Sequence, residues 1–226
     1  MDEQAKPPRP QVFALPNGPY YYFTDFTPQP IQGLRGEGGQ TYASAKGTAL
    51  CRCGASENKP FCDGSHGAIH FNDRKETDGR QDRRKNYNAG RITIHDNRGI
   101  CSHSAICINS LPGVFDPDKR PWINPQGATA QEIMATVRLC PSGALSYSLD
   151  GVEYRDYDRE PLITVSKDGP YQLVGGISVA GFESRAEQVS NEHSTLCRCG
   201  SSRNKPFCDG NHGEIGFKDP PETEQG

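Results

Sequence analysis

Residues 51–66 read CRCGASENKPFCDGSH and residues 197–212 read CRCGSSRNKPFCDGNH, and the two runs differ only at Ala55 against Ser201, Glu57 against Arg203 and Ser65 against Asn211. A gapless match of that length marks an internal repeat. Upstream, Asn17-Gly18-Pro19-Tyr20 answers Asp168-Gly169-Pro170-Tyr171, each ahead of a strand-like run (20–23 and 172–174). Downstream, Gly67-Ala68-Ile69-His70-Phe71 answers Gly213-Glu214-Ile215-Gly216-Phe217. β-Branched and aromatic residues precede the first cysteine of each run, and Gly, Pro, Asn and Ser follow it. Each copy therefore reads as a small β-structure closed by a cysteine loop.

Each loop spaces its donors as C-x-C-x8-C-x3-H: Cys51, Cys53, Cys62 and His66 in the first copy, Cys197, Cys199, Cys208 and His212 in the second. One intervening residue sets two sulfurs on one side of a turning backbone, and a spacing of four brings Cys62 to His66 if a helical turn follows Asp63, a good N-cap residue whose equivalent is Asp209. One pair per metal atom is the simplest partition. Three thiolates and an imidazole suit either a tetrahedral zinc ion or a [2Fe-2S] cluster, so ligand type does not decide. The loops resemble the CDGSH or NEET family of [2Fe-2S] proteins, whose pattern is met by Cys51, Cys53, Ser56, Pro60, Cys62, Asp63, Gly64, Ser65 and His66. In the second loop Cys197, Cys199, Ser202, Pro206, Cys208, Asp209, Gly210 and His212 match, and Asn211 departs from the serine. A cluster with three thiolates is an anion whose charge grows on reduction, and Arg52, Lys59, Arg198 and Lys205 are positioned to offset it. The histidine ligands predict pH-sensitive cluster retention, because protonation competes with metal binding.

Between the copies, residues 73–90 are charged and aperiodic, while 91–151 carry their own pattern of strand, helix, helix, strand. Residues 91–95 alternate like a strand, Thr129-Ala130-Gln131-Glu132 forms a capping box at a helix start, and 144–148 suit a closing strand. Cys101, Cys107 and Cys140 stand as C-x5-C with a distant C-P. The run 91–147 resembles the divergent single-cluster ferredoxins, with Ser104 where a further cysteine stands in bacterial ferredoxins. That resemblance implies a third cluster: [3Fe-4S] on the three thiolates, or [4Fe-4S] with His103, Ser104 or water as fourth ligand.

The expected fold class is thus α+β, with two small β-rich CDGSH units and an inserted ferredoxin-like domain, over residues 1–80, 91–150 and 152–226. CDGSH proteins pair two such units and exchange strands, so the resemblance implies either an intrachain pseudo-dimer from which the insert projects or a homodimer. A hydrophobic content of 33% with mean hydropathy -0.75 argues against one large apolar core, and Gly 25 with Pro 18 favours short elements and loops. The start, MDEQAKPPRP, has no signal-peptide pattern and no run is long enough to span a bilayer, so a cytoplasmic protein with reduced thiols and no membrane partner is expected. A net charge of -3 gives no nucleic-acid footprint, and the basic run 80–85 reads as a solvated linker. Nucleotide loops and nucleophile elbows are missing from the sequence. The function expected is electron or cluster transfer to a redox or cluster-acceptor protein, without enzymatic activity. The competing expectation is a zinc-stabilised interaction module.

Overall fold

Strand β2 (Tyr20–Phe23) alternates buried and half-buried side chains, and β11 (Tyr171–Val174) repeats that pattern in the second copy. The computed structural model describes residues 10–23, 31–43, 45–76, 84–182 and 189–220. In the first copy β1 (Gln11–Ala14), β2 and β5 (Gly47–Leu50) form an antiparallel meander. In the second copy β10 (Leu162–Val165), β11 and β13 (Ser194–Leu196) do the same.

Each meander is completed by a strand from the other copy. β12 (Ser178–Ala180) of the second copy runs parallel to β1 with Val12 opposite Val179. β3 (Leu34–Gly36) of the first copy runs parallel to β10 with Ile163 opposite Leu34, and carries β4 (Thr41–Tyr42) on its far edge. The resulting sheets, β12-β1-β2-β5 and β13-β11-β10-β3-β4, are related by an approximate twofold axis within one chain. Neither three-stranded unit could cover its apolar face alone. One core therefore serves both: Val12, Tyr20, Tyr22, Leu34 and Leu50 pack with Ile163, Val165, Tyr171, Leu173, Val179 and Leu196. Each such fully buried apolar side chain contributes about 1.5–3 kcal/mol.

The insert is a separate sheet, β6-β7-β8-β9, of β6 (Arg84–Ala89), β7 (Ile92–Asn97), β8 (Leu145–Leu149) and β9 (Val152–Tyr154). The expected capping box is present: Thr129 accepts from Glu132 N–H at 3.3 Å, and the Glu132 carboxylate accepts from Thr129 N–H at 2.8 Å. It opens α3 (Ala130–Val137), which follows the short α2 (Ile106–Ser110) and whose Ile133 and Val137 pack on Ile94, Phe115 and Tyr147. The charged run 73–90 is a correction: its described end forms β6, six residues paired with β7. Charge and weak alternation suit a sheet edge, where one side faces water. Most of the basic run 80–85, like the first nine residues read for a signal, lies outside the described residues. Among the described residues no helix is long and apolar enough to cross a membrane.

Candidate metal centres

The cysteine loops hang from the last strand of each meander. Cys51 N–H donates to Pro60 O at 2.8 Å and Cys62 N–H to Ala49 O at 2.9 Å, so the loop folds back on β5. In the second copy Cys197 N–H donates to Pro206 O and Cys208 N–H to Thr195 O. The motif serine braces the turn: Ser56 Oγ donates to Phe61 O and accepts from Asn58 N–H, as Ser202 does with Phe207 O and Asn204 N–H. The donors stand in two pairs per loop. Cys51 and Cys53 sulfurs are 3.9 Å apart, and Cys62 Sγ lies 3.4 Å from His66 Nδ1. In the second loop the distances are 3.8 Å for Cys197 and Cys199 and 3.4 Å for Cys208 and His212 Nδ1.

Local geometry explains the Cys–His pairing, with one correction. Asp63 and Asp209 are not helix caps. The short helices α1 (Ser65–Ala68) and α4 (Asn211–Glu214) are entered through Gly64 (φ 91) and Gly210 (φ 88), in a left-handed turn that glycine adopts freely. The preceding carboxylate stitches the loop instead: Asp63 accepts from Ser65 N–H at 3.0 Å and Glu57 N–H at 2.8 Å, and Asp209 from Asn211 N–H at 3.1 Å and Arg203 N–H at 2.9 Å. The Ser65 hydroxyl and these N–H groups hold Asp63 below the usual carboxylate range.

The pairs are sheltered. Phe71 packs on Cys51 and Cys53, and Phe217 on Cys197 and Cys199. Within each cysteine pair one proton is shared, which lowers one sulfur to about 6 at Cys53 and about 7 at Cys197 through the partner thiol's hydrogen bond. At Cys51 the Cys53 hydrogen bond and burial prevail and push the thiol up, against N–H groups of Ser56 and Gly54 that favour the thiolate; at Cys197 the N–H groups of Ser202 and Gly200 work in the same direction as the Cys199 hydrogen bond and favour the thiolate. Paired sulfurs, a histidine nitrogen and aimed N–H donors fit an anionic iron–sulfur group.

The basic residues beside the ligands are not solvated surface. Arg52 is 2% exposed and bonds Leu15 O and Asp73; Arg198 is 1% exposed and bonds Gly169 O, Ser166 O and Asp219. Each guanidinium ties the chain after the cluster loop back to the turn that opens its copy, and stacks on Tyr20 or Tyr171.

Contacts between the copies were not legible in the repeat. Tyr20 Oη lies 3.0 Å from Cys197 O and 2.9 Å from Pro206 O, in the other copy's loop. Tyr171 Oη reciprocates at 2.8 Å from Cys51 O and 2.9 Å from Pro60 O. The loops themselves touch at glycines: a Cβ on Gly54 would sit 2.5 Å from Cys199 O, and one on Gly200 2.4 Å from Cys53 O. Identity of these residues in both copies was the available signal.

In the insert, Cys101, Cys107 and Cys140 all line one open cleft of about 950 Å³, together with Arg98, His103, Ser104 and Trp122. Burial pushes Cys107 up to about 11, with the charges of Cys140 and Cys101 adding to it, as three facing thiols require. Arg98 donates to Cys101 Sγ at 3.4 Å and lies over the Trp122 ring, and Leu145 N–H donates to Cys140 Sγ at 3.4 Å. Of the two side chains considered as fourth ligand, His103 stands against the second CDGSH loop, within 2.7 Å of a Cβ built on Gly210. The insert does not project from the paired units: it docks on the second. Gly143 lies against Ser190 and His193, which Asp156 and Tyr157 of the following connection hold through a hydrogen bond and a ring stack.

Together with this fold and donor set, two family matches identify an iron–sulfur protein. The chain matches the iron-binding zinc finger CDGSH type over residues 17–67 and 168–213, and the divergent 4Fe-4S mono-cluster family over 87–150. It belongs to the CDGSH family, with two CDGSH segments flanking a divergent 4Fe-4S mono-cluster domain. Among curated proteins it is similar to the uncharacterized protein YjdI of Escherichia coli K12 and of O157:H7. Each is 33% identical over 61 residues, which is 27% of this chain and 80% of the relative.

Proposed function

We propose that the chain is a carrier and not an enzyme: an electron-transfer or cluster-transfer protein with a [2Fe-2S] cluster in each CDGSH loop and a third, [3Fe-4S] or [4Fe-4S], in the insert. The pairing of donors carries this reading. A two-iron core takes two protein ligands on each iron, which Cys51 with Cys53 and Cys62 with His66 would supply, as would Cys197 with Cys199 and Cys208 with His212. A structural zinc ion needs its donors converging on one point. The donors of each loop stand instead in two pairs, Cys with Cys and Cys with His.

Bound clusters supply one-electron redox chemistry and exchangeable iron ligands. The chain's residues do the rest. Phe71 and Phe217 keep water from the inner sulfurs, the Gly54, Ser56, Gly200 and Ser202 N–H groups stabilise negative sulfur, and His66 and His212 offer Nδ1, where a proton competes with iron. A redox or cluster-acceptor protein is the partner class. The test is the visible spectrum of the anaerobically purified full chain with iron, sulfide and zinc quantified. Charge-transfer bands at roughly 400–550 nm with stoichiometric sulfide are expected. A colourless protein holding zinc overturns the proposal in favour of a structural module.

A further inference from the structure

The two CDGSH loops are near copies in sequence, yet their surroundings differ. A Cβ at Gly64 would meet nothing within 4 Å, whereas at the matching Gly210 it would meet Cβ, Cγ and Cδ2 of His103 at 2.7 Å. Cys62 is half-buried and Asp63 exposed; Cys208 is 3% exposed and Asp209 7%. Lys59 is half-buried while Lys205 is buried. The buried partner in each comparison belongs to the copy on which the insert is docked.

His103 stands between the two centres, hydrogen-bonded to one and in contact with the other. Its backbone N–H donates to Cys101 Sγ at 3.4 Å, and the glycine under its side chain donates its own N–H to Cys208 Sγ at 3.4 Å. His103 has a positive φ of 55, uncommon for a residue other than glycine although histidine adopts it more readily than most. Its outer face is exposed, so it stands over the second loop as a cap and is not part of a core.

We propose that the two CDGSH sites are inequivalent: the first is the site open to an acceptor, and the second is held closed by His103 of the insert. This rests on the iron–sulfur carrier reading. The fitting acceptor is a protein presenting cysteine thiolates to the Cys62–His66 edge. There each bond from iron to Cys51, Cys53, Cys62 and His66 is replaced by one to an acceptor thiolate, with no change in electron count. At the second site the same edge is reached only after His103 moves off Gly210.

The test is bleaching of the full chain, purified anaerobically with its clusters, by excess 2,2′-bipyridine. Cys62→Ser and Cys208→Ser variants assign the phases. The phase removed by Cys62→Ser is expected to be fast and that removed by Cys208→Ser slow. His103→Ala should accelerate the slow phase by roughly fivefold, the factor that a modest lost contact produces. It should leave the fast phase unchanged. His103→Gln, which keeps bulk over Gly210, should restore the slow phase. Equal rates at the two sites, a faster second site, or a slow phase indifferent to His103→Ala overturns the inference while leaving the carrier reading intact. A protein without iron overturns the carrier reading itself.

Discussion

Tyr20→Phe and Tyr171→Phe should each weaken the cluster loop of the opposite copy. Both phenols are fully buried, and burial holds them protonated far above the usual tyrosine range. Removing the Tyr20 hydroxyl leaves Pro206 O its bond from Cys197 N–H at 2.8 Å, but takes a close donor from the carbonyl of Cys197 itself. An unsatisfied buried acceptor costs about 1–3 kcal/mol. For a chain of 226 residues, about 2 kcal/mol corresponds to a fall of about 4–8 °C in Tm. The assay is thermal bleaching of the cluster-loaded protein at one scan rate, with Cys→Ser variants isolating each centre. Tyr20→Phe should lower the midpoint of the centre at Cys197, Cys199, Cys208 and His212, and Tyr171→Phe that of the centre at Cys51, Cys53, Cys62 and His66. The rings meet edge to face at 6.1 Å, so the double variant should depart from additivity. If each substitution loosens the loop of its own copy, or if midpoints shift by less than about 1 °C, the intrachain reciprocal contact is not what holds the loops.

Gly54→Ala or Gly200→Ala would drive a methyl to within 2.5 Å of the other loop's backbone at φ of 81 or 78, and should cost about 2–6 kcal/mol from combined strain and overpacking, read as loss of folded, cluster-loaded protein on gel filtration. Replacing His66 or His212 by Cys removes the imidazole whose protonation competes with metal, so bleaching at mildly acidic pH should slow at the altered site only. Glu192 is pushed up by burial, but hydrogen bonds from His193, Arg159 and Gly175 N–H prevail and bring it down to about 2. Its folded value lies below the unfolded one, so it stabilises the protein above about pH 4.3 and loses that contribution as pH falls toward 2. Glu192→Gln should therefore lower Tm at pH 7, with the gap to wild type closing in acid.

The repeat, the pairing of donors within each loop, the capping box at Thr129 and the strands around residues 92 and 145 were legible because each is encoded locally, by spacing or by alternation. Strand exchange was implied only by the family resemblance, and which strands pair was not legible. The pairings β1 with β12 and β3 with β10 join residues more than a hundred positions apart, and no local pattern in a three-residue strand specifies its partner. β6 was hidden because an edge strand keeps its charges, and Asp63 was misread because an acidic residue two before a helix resembles a cap until the glycine between them is seen to turn left-handed. Docking of the insert depends on Gly143, Ser190 and His193, which show no periodicity and meet only in three dimensions.

Fusion of two CDGSH units into one chain has a consequence that a symmetric pair could not have. In a twofold homodimer any group that covers one cluster loop must cover the other, because the interface operator repeats every contact. Here the axis is only approximate, and the insert breaks it by leaving the first copy and touching the second. Ser65 and Asn211 mark the same break in sequence: Ser65 bonds back to Asp63, whereas the longer Asn211 side chain donates to Ser201 O at 2.8 Å and tightens its own loop. A buried, braced loop beside a third thiolate site and a loop whose Cys62–Asp63 edge opens to solvent are then two fates of one motif, set by which copy the insert's His103 can reach.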